Sequence, residues 1–115
     1  MTNLTGLPYR ASVPAGEWVV VSGQIGLRDG ALVADFAGEV DQVIANLTAQ
    51  LAEHGLGLEH VVKTTCFLLD FEQFPEFNER YALAFPDPRP ARSTVQVAGL
   101  PLGANVEVEA WAYRG

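Results

Sequence analysis

Three stretches of this chain read as β-strands that are apolar on both faces, and no other feature narrows the possible folds as much. They span residues 18–24, 61–69 and 106–113, rich in Val, Thr, Phe, Leu and Trp. β-Branched and aromatic residues in such runs favour strands. A strand with one wet face alternates apolar and polar side chains, whereas a strand apolar on both faces needs cover on both. The helices available to give that cover are two. Val40, Val43, Ile44, Leu47 and Leu51 recur at spacings of three and four, which predicts an amphipathic helix over about 38–54 ended by Gly55. Phe74, Phe77 and Tyr81 predict a second helix over about 74–84, which Pro86, Pro88 and Pro90 stop. Two helices cover one face of a sheet. The other face, which holds Trp111 and Tyr113, is therefore expected to be covered by further copies of the chain, giving a homo-oligomer whose sheets pack together.

Around this frame, Tyr9–Val13 is expected as a short strand and Pro14-Ala15-Gly16 as a turn. Arg28-Asp29-Gly30 reads as a hairpin tip, with Ala31–Val33 as its return strand. No repeat or linker divides the chain, so residues 1–115 are expected to form a single α+β domain.

Pro90–Ala110 is predicted to be a hairpin turning at Pro101 and Gly103. It would put Arg92 on one strand and Glu107 and Glu109 on the next, the glutamates sharing a face with Trp111 and Tyr113. Charged groups among apolar neighbours cost free energy unless paired or used. Two readings follow. Arg92 and Glu107 form an ion pair bridging adjacent strands, or Arg92 grips a substrate carboxylate while Glu107 orients water or moves a proton.

Other candidates are weaker. Cys66 lacks an associated histidine and is read as a buried structural thiol. His54, in the last turn of the first helix, and His60, in a polar connection, are read as structural. Two histidines are also too few for the usual three protein ligands of a catalytic metal site. No Gly-X-Ser-X-Gly elbow surrounds Ser12, Ser22 or Ser93, and Gly55-Leu56-Gly57 lacks the third glycine of a dinucleotide loop. Glu39, Glu72, Glu76 and Glu79 are read as a solvated helix face. Asn78, beside the aromatic stripe, would need partners for its amide.

The formal net charge of -7 disfavours nucleic acid and anionic membranes as partners. Neither a signal peptide nor an apolar run long enough to span a bilayer is read in the chain, and a cytoplasmic protein is expected.

Several motifs, in order, carry a resemblance. Val-Ser-Gly-Gln-Ile stands at 21–25, Val-Val-Lys-Thr-Thr-Cys-Phe-Leu-Leu-Asp at 61–70, Pro-Ala-Arg-Ser at 90–93 and Val-Glu-Val-Glu-Ala at 106–110. Asn78 and Tyr81 follow at the matching places. Over roughly residues 8–113 the chain resembles the reactive intermediate deaminase family, also called the YjgF-like family. The resemblance implies a chorismate-mutase-like α+β fold, a mixed sheet backed by two helices, and a homotrimer with a central β-barrel and active sites between subunits. It implies a cofactor-free, metal-free hydrolytic deaminase of the 2-iminobutanoate/2-iminopropanoate type. Such an enzyme turns imine and enamine acids into 2-oxo acids and ammonia. By the same resemblance Arg92 binds the substrate carboxylate, Glu107 positions water, and Tyr9 closes the pocket. Ser22, Gly23 and Asn78 complete it, and Thr94 lines it where many members have Cys. Arg10-Ala11 also departs from the usual pair after the tyrosine. The alternatives are a trimeric carboxylate-binding protein without turnover and an endoribonuclease, the latter opposed by the acidic charge.

Overall fold

The computed structural model describes residues 6–115. Its elements are β1 (Ser12–Ala15), β2 (Trp18–Gln24), β3 (Leu27–Arg28), β4 (Ala31–Leu32), α1 (Phe36–Ala52), β5 (Val61–Leu68), α2 (Phe74–Ala84), β6 (Ala91–Gln96) and β7 (Val106–Tyr113). Five strands form one sheet in the order β1-β2-β7-β5-β6, and β3-β4 form a small separate hairpin. All neighbours in the large sheet are antiparallel except β5 and β6, which run parallel across the α2 crossover. The fold is α+β with a mixed sheet and two helices.

Helix α1 starts where the Asp35 carboxylate accepts from the Gly38 N–H at 2.8 Å. It ends as Gly55, at φ +74°, lets Leu56 N donate back to Leu51 O at 3.0 Å. Its apolar stripe packs with that of α2 on one face of the sheet, around Val19, Val43, Leu47, Leu51, Leu68, Phe77 and Val108. The helices are also joined by a bidentate pair, in which Arg80 Nε and Nη2 donate to Asp41 at 3.0 and 2.7 Å. Among the described residues no α-helix lies on the opposite face of the sheet. Trp18 packs there against Trp111 and Tyr113 with ring centroids 6.2 and 4.9 Å away, yet Trp111 stays 46% exposed. The uncovered aromatic face expected from the two-sided strands is thus present.

Three expectations are corrected. The first strand begins at Ser12, not Tyr9, and Gly16-Glu17 make its turn. Pro14 lies within β1, tolerated there because an edge strand has one unpaired side. Second, β6 and β7 do not form a hairpin. β5 lies between them, so the connection through Pro101–Gly103 passes over a strand end instead of turning back tightly. Third, Glu39 is no part of a solvated face: it is 1% exposed, held by Asn105 from the segment before β7. The Asp29-Gly30 tip is as expected, both residues having positive φ (55° and 85°) as a two-residue β-turn requires.

Candidate functional site

Registered partners on neighbouring strands share a face, so the ladder tells where each side chain looks. Arg92 pairs with Thr64 and Thr94 with Cys66, and Thr64 bonds Tyr81 of α2. Arg92 and Thr94 therefore look towards the helices. Glu107 pairs with Phe67 and looks to the uncovered face. The Arg92–Glu107 ion pair is ruled out within one chain, because the two residues lie on opposite faces of the sheet.

The Arg92 guanidinium sits over three rings of α2, 5.7 Å from the Phe74 centroid, 5.3 Å from Phe77 and 4.8 Å from Tyr81. Such rings attract a cation and present it with its edge free. Tyr81 is fixed by a 2.7 Å hydrogen bond between its hydroxyl and Thr64 Oγ1, and burial raises its pKa. Arg92 Nη2 donates to Asn78 Oδ1 at 2.6 Å. Among the described residues Arg92 has no carboxylate partner. A guanidinium has five N–H donors in a planar fork, so donors are left for a ligand. Thr94 adds a shielded hydroxyl, without a hydrogen-bond partner among the described residues.

On the other face, the β2–β7 register shifts between Val21 and Gln24. This irregularity brings the Gly23 backbone against the Glu107 side chain. A Cβ added at Gly23 would lie 2.7 Å from Glu107 Cδ and 2.9 Å from Cγ, so any larger residue there has to displace the Glu107 side chain. Tyr9, Ile25, Pro101 and Leu102, with Gly23 and Glu107, line a hollow of ≈ 220 Å³. Desolvation in this setting raises the Glu107 pKa, and the Glu109 charge adds to the rise. Ser22 ties down the approach to the hollow. Its hydroxyl donates to Arg10 O and its N–H to Ala11 O, each at 2.8 Å, which holds the segment carrying Tyr9 beside β2.

The sequence-named residues thus fall into two groups. Arg92, Asn78 and Thr94 gather on the helix face near the β6 edge. Tyr9, Gly23 and Glu107 gather at the hollow, and Ser22 stands behind it, bonded to the backbone of Arg10 and Ala11. Sequence reasoning missed the role of Phe74, Phe77 and Tyr81 around Arg92. It placed Phe74 and Phe77 only in the apolar stripe, and Tyr81 in that stripe and, with Asn78, at a motif position. It also missed Ile25, Pro101 and Leu102 as walls, where no local pattern marks them.

The weaker candidates resolve simply. Cys66 is buried, its Sγ donating weakly to Thr64 Oγ1 at 3.8 Å, and burial pushes its pKa up to about 11. His54 lies past the end of α1 and bonds Ser12 Oγ at 2.9 Å, while His60 Nδ1 accepts from Gly57 N at 3.0 Å. Among the described residues no group of three or more His, Cys, Asp or Glu is placed to hold a metal, and no helix is long and apolar enough to cross a membrane.

Comparison with known proteins gives a consistent answer. The family model described as endoribonuclease L-PSP matches residues 4–114. A RutC family protein of Aquifex aeolicus is 42% identical over 106 residues, covering 89% of this chain and 85% of that protein. The 2-iminobutanoate/2-iminopropanoate deaminase of Mus musculus is 40% identical over 111 residues, 94% of this chain and 82% of that protein. The crystal structure of Escherichia coli TdcF with bound serine superposes with a TM-score of 0.91 at 34% identity, covering 94% of this chain and 89% of that one. The chain belongs to the YjgF-like, or reactive intermediate deaminase, family.

Proposed function

We propose that this protein is a cofactor-free hydrolytic deaminase of 2-imino and enamine acids, acting as a homotrimer with its sites between subunits. Each site combines Arg92, Asn78 and Thr94 of one subunit with Tyr9, Ser22, Gly23 and Glu107 of the partner subunit. The observation that carries this reading is the Arg92 fork, held over three aromatic rings with Asn78 as its hydrogen-bond partner and no counter-ion among the described residues. A half-buried cation presented this way suits a carboxylate ligand. The bare aromatic face supports the trimer, since sheets packed around a central barrel would cover it. The opposite-face placement of Glu107 supports a site completed by a second copy.

The chemistry needs few parts. The carbon of a protonated 2-imino acid is already electrophilic, so the protein has to bind, align and move protons. Arg92 neutralises the carboxylate next to it. Glu107 accepts a proton from water as the oxygen bonds to C2. It returns that proton to the nitrogen and, as the C–N bond breaks, takes the remaining hydroxyl proton, so that ammonia leaves and the 2-oxo acid remains. A carboxyl with a raised pKa suits a group that both takes and gives a proton. The apolar hollow would hold the substrate side chain.

One observation favours a second reading: the relative TdcF is described with serine bound. A carboxylate-binding protein without turnover would use the same arginine. To test the first reading, 2-iminopropanoate is generated with an amino-acid oxidase and its decay followed. The expected result is acceleration by the wild type, abolished by Arg92→Ala. Binding of 2-oxo acids with no acceleration would instead support the binding protein.

A further inference from the structure

Helix α1 lies on the far side of the sheet from the Glu107 carboxyl, yet two of its polar side chains tie down the two segments that flank the hollow. Glu39 stands in its first turn, 1% exposed. Its carboxyl accepts from Asn105 N at 2.8 Å and from Asn105 Nδ2 at 2.9 Å. Asn105 directly precedes β7 and is two residues from Glu107. Asn46 lies seven residues beyond Glu39, two helical turns along and on the same side. Its Nδ2 donates to Ile25 O at 2.9 Å and Leu27 O at 3.0 Å, and Ile25 lines the hollow. Between these anchors the chain leaves no slack. A Cβ added at Gly26 would lie 2.7 Å from Glu39 Cγ and 2.8 Å from Glu39 O. Gly26 is three residues past Gly23, the residue pressed against Glu107. Ile25, Leu27 and Ala104 form a small apolar cluster between the two tethers.

We infer that Glu39, supported by Asn46, is a positioning residue that sets the start of β7 and the Gly23–Gly26 segment, and so fixes Glu107 in its hollow. A solvated acidic residue on an amphipathic helix would do none of this. A buried carboxyl spent wholly on one asparagine of a distant segment fixes the geometry of that segment. Misplacing a reacting group by a fraction of an ångström is enough to slow a reaction.

The inference rests on Glu107 acting on substrate, and the test separates the two ideas. Glu39→Met keeps the side-chain volume and removes both acceptors. Asn105→Ala removes one of the two hydrogen bonds and serves where Glu39→Met does not fold. Each is made alone and together with Glu107→Gln, and imine hydrolysis is measured against pH. The expected loss in kcat/KM is about tenfold to a hundredfold for Glu39→Met and smaller for Asn105→Ala. Combined with Glu107→Gln, either substitution should cost less than about twofold further, since the group it positions is gone. The acid limb of the pH profile should move to lower pH as water reaches a Glu107 carboxyl whose pKa burial had raised. Equal losses with and without Glu107, or an unmoved acid limb, would overturn the inference. If the wild type hydrolyses no imine, the functional reading fails. An NMR titration of the Glu107 side-chain carbon then decides the positioning role. A lower midpoint in the variants supports it, and an unchanged midpoint overturns it.

Discussion

Arg92 and Glu107 are both charged residues on strands of one sheet, and the molecule treats them in opposite ways. Arg92 faces the helices, over Phe74, Phe77 and Tyr81, with its charge unneutralised among the described residues. Glu107 faces the bare side, pressed by the Gly23 backbone, with its ionised form made costly by desolvation and by Glu109. One region stabilises a charge and presents it. The other penalises a charge and leaves a proton easy to hold. On the proposed reading, the anion clamp and the proton-transfer group stand on two surfaces that one chain does not bring together. That division, more than either group alone, argues for a site assembled from two subunits.

The comparison is broken most severely by removing the clamp. Arg92→Ala is expected to lower kcat/KM for a 2-imino acid by about a thousandfold or more, because a charge-assisted bidentate contact is lost. Steady-state kinetics with the oxidase-coupled substrate would check this, and a loss under tenfold would place the carboxylate elsewhere. Gly23→Ala attacks the other region. Its new Cβ has to displace the Glu107 side chain, and a loss of about a hundredfold in kcat is expected while 2-oxo acid binding, which depends on Arg92, changes little. Calorimetric titration alongside the kinetics separates the two effects. Asn78→Ala takes one hydrogen bond from Arg92 but leaves the three rings, so about a tenfold weakening of 2-oxo acid binding is expected.

The smallest effect is on stability. The Glu107 pKa is raised above the ordinary glutamate value in the fold, so the folded state holds that proton more tightly than the unfolded chain. This contribution is fully present below the unfolded pKa and is lost as pH rises through the folded one. Glu107→Gln removes the dependence. Its urea midpoint is expected to fall less than that of the wild type as pH rises above the ordinary glutamate range, a small difference given the partial exposure and solvent screening. A steeper fall in the variant would reverse the assignment.

Local patterns made part of this legible. Phe74, Phe77 and Tyr81 with the prolines beyond them define α2, and Asp29-Gly30 defines a hairpin tip, because both depend on residues close in sequence. The pairing of β6 was not legible. Its run looks like half of a hairpin with β7, but the α2 crossover places it parallel to β5 instead. The same non-local packing hid Glu39. On a helix its residue type means solvent, unless a partner 66 residues away comes to meet it. The candidate site was legible as a set of residue types, carried by the family motifs. Its division between the two faces followed only from strand order, which no local pattern encodes.

Subunit mixing tests that division most directly. Arg92→Ala and Glu107→Gln chains, each nearly inactive alone, are unfolded together in equal amounts and refolded. If every site joins Arg92 of one subunit to Glu107 of the partner subunit, random assortment restores about a quarter of the wild-type sites and a matching share of imine hydrolysis. Activity no greater than the sum of the two separate variants would mean that both groups serve the same chain, and would contradict a shared site.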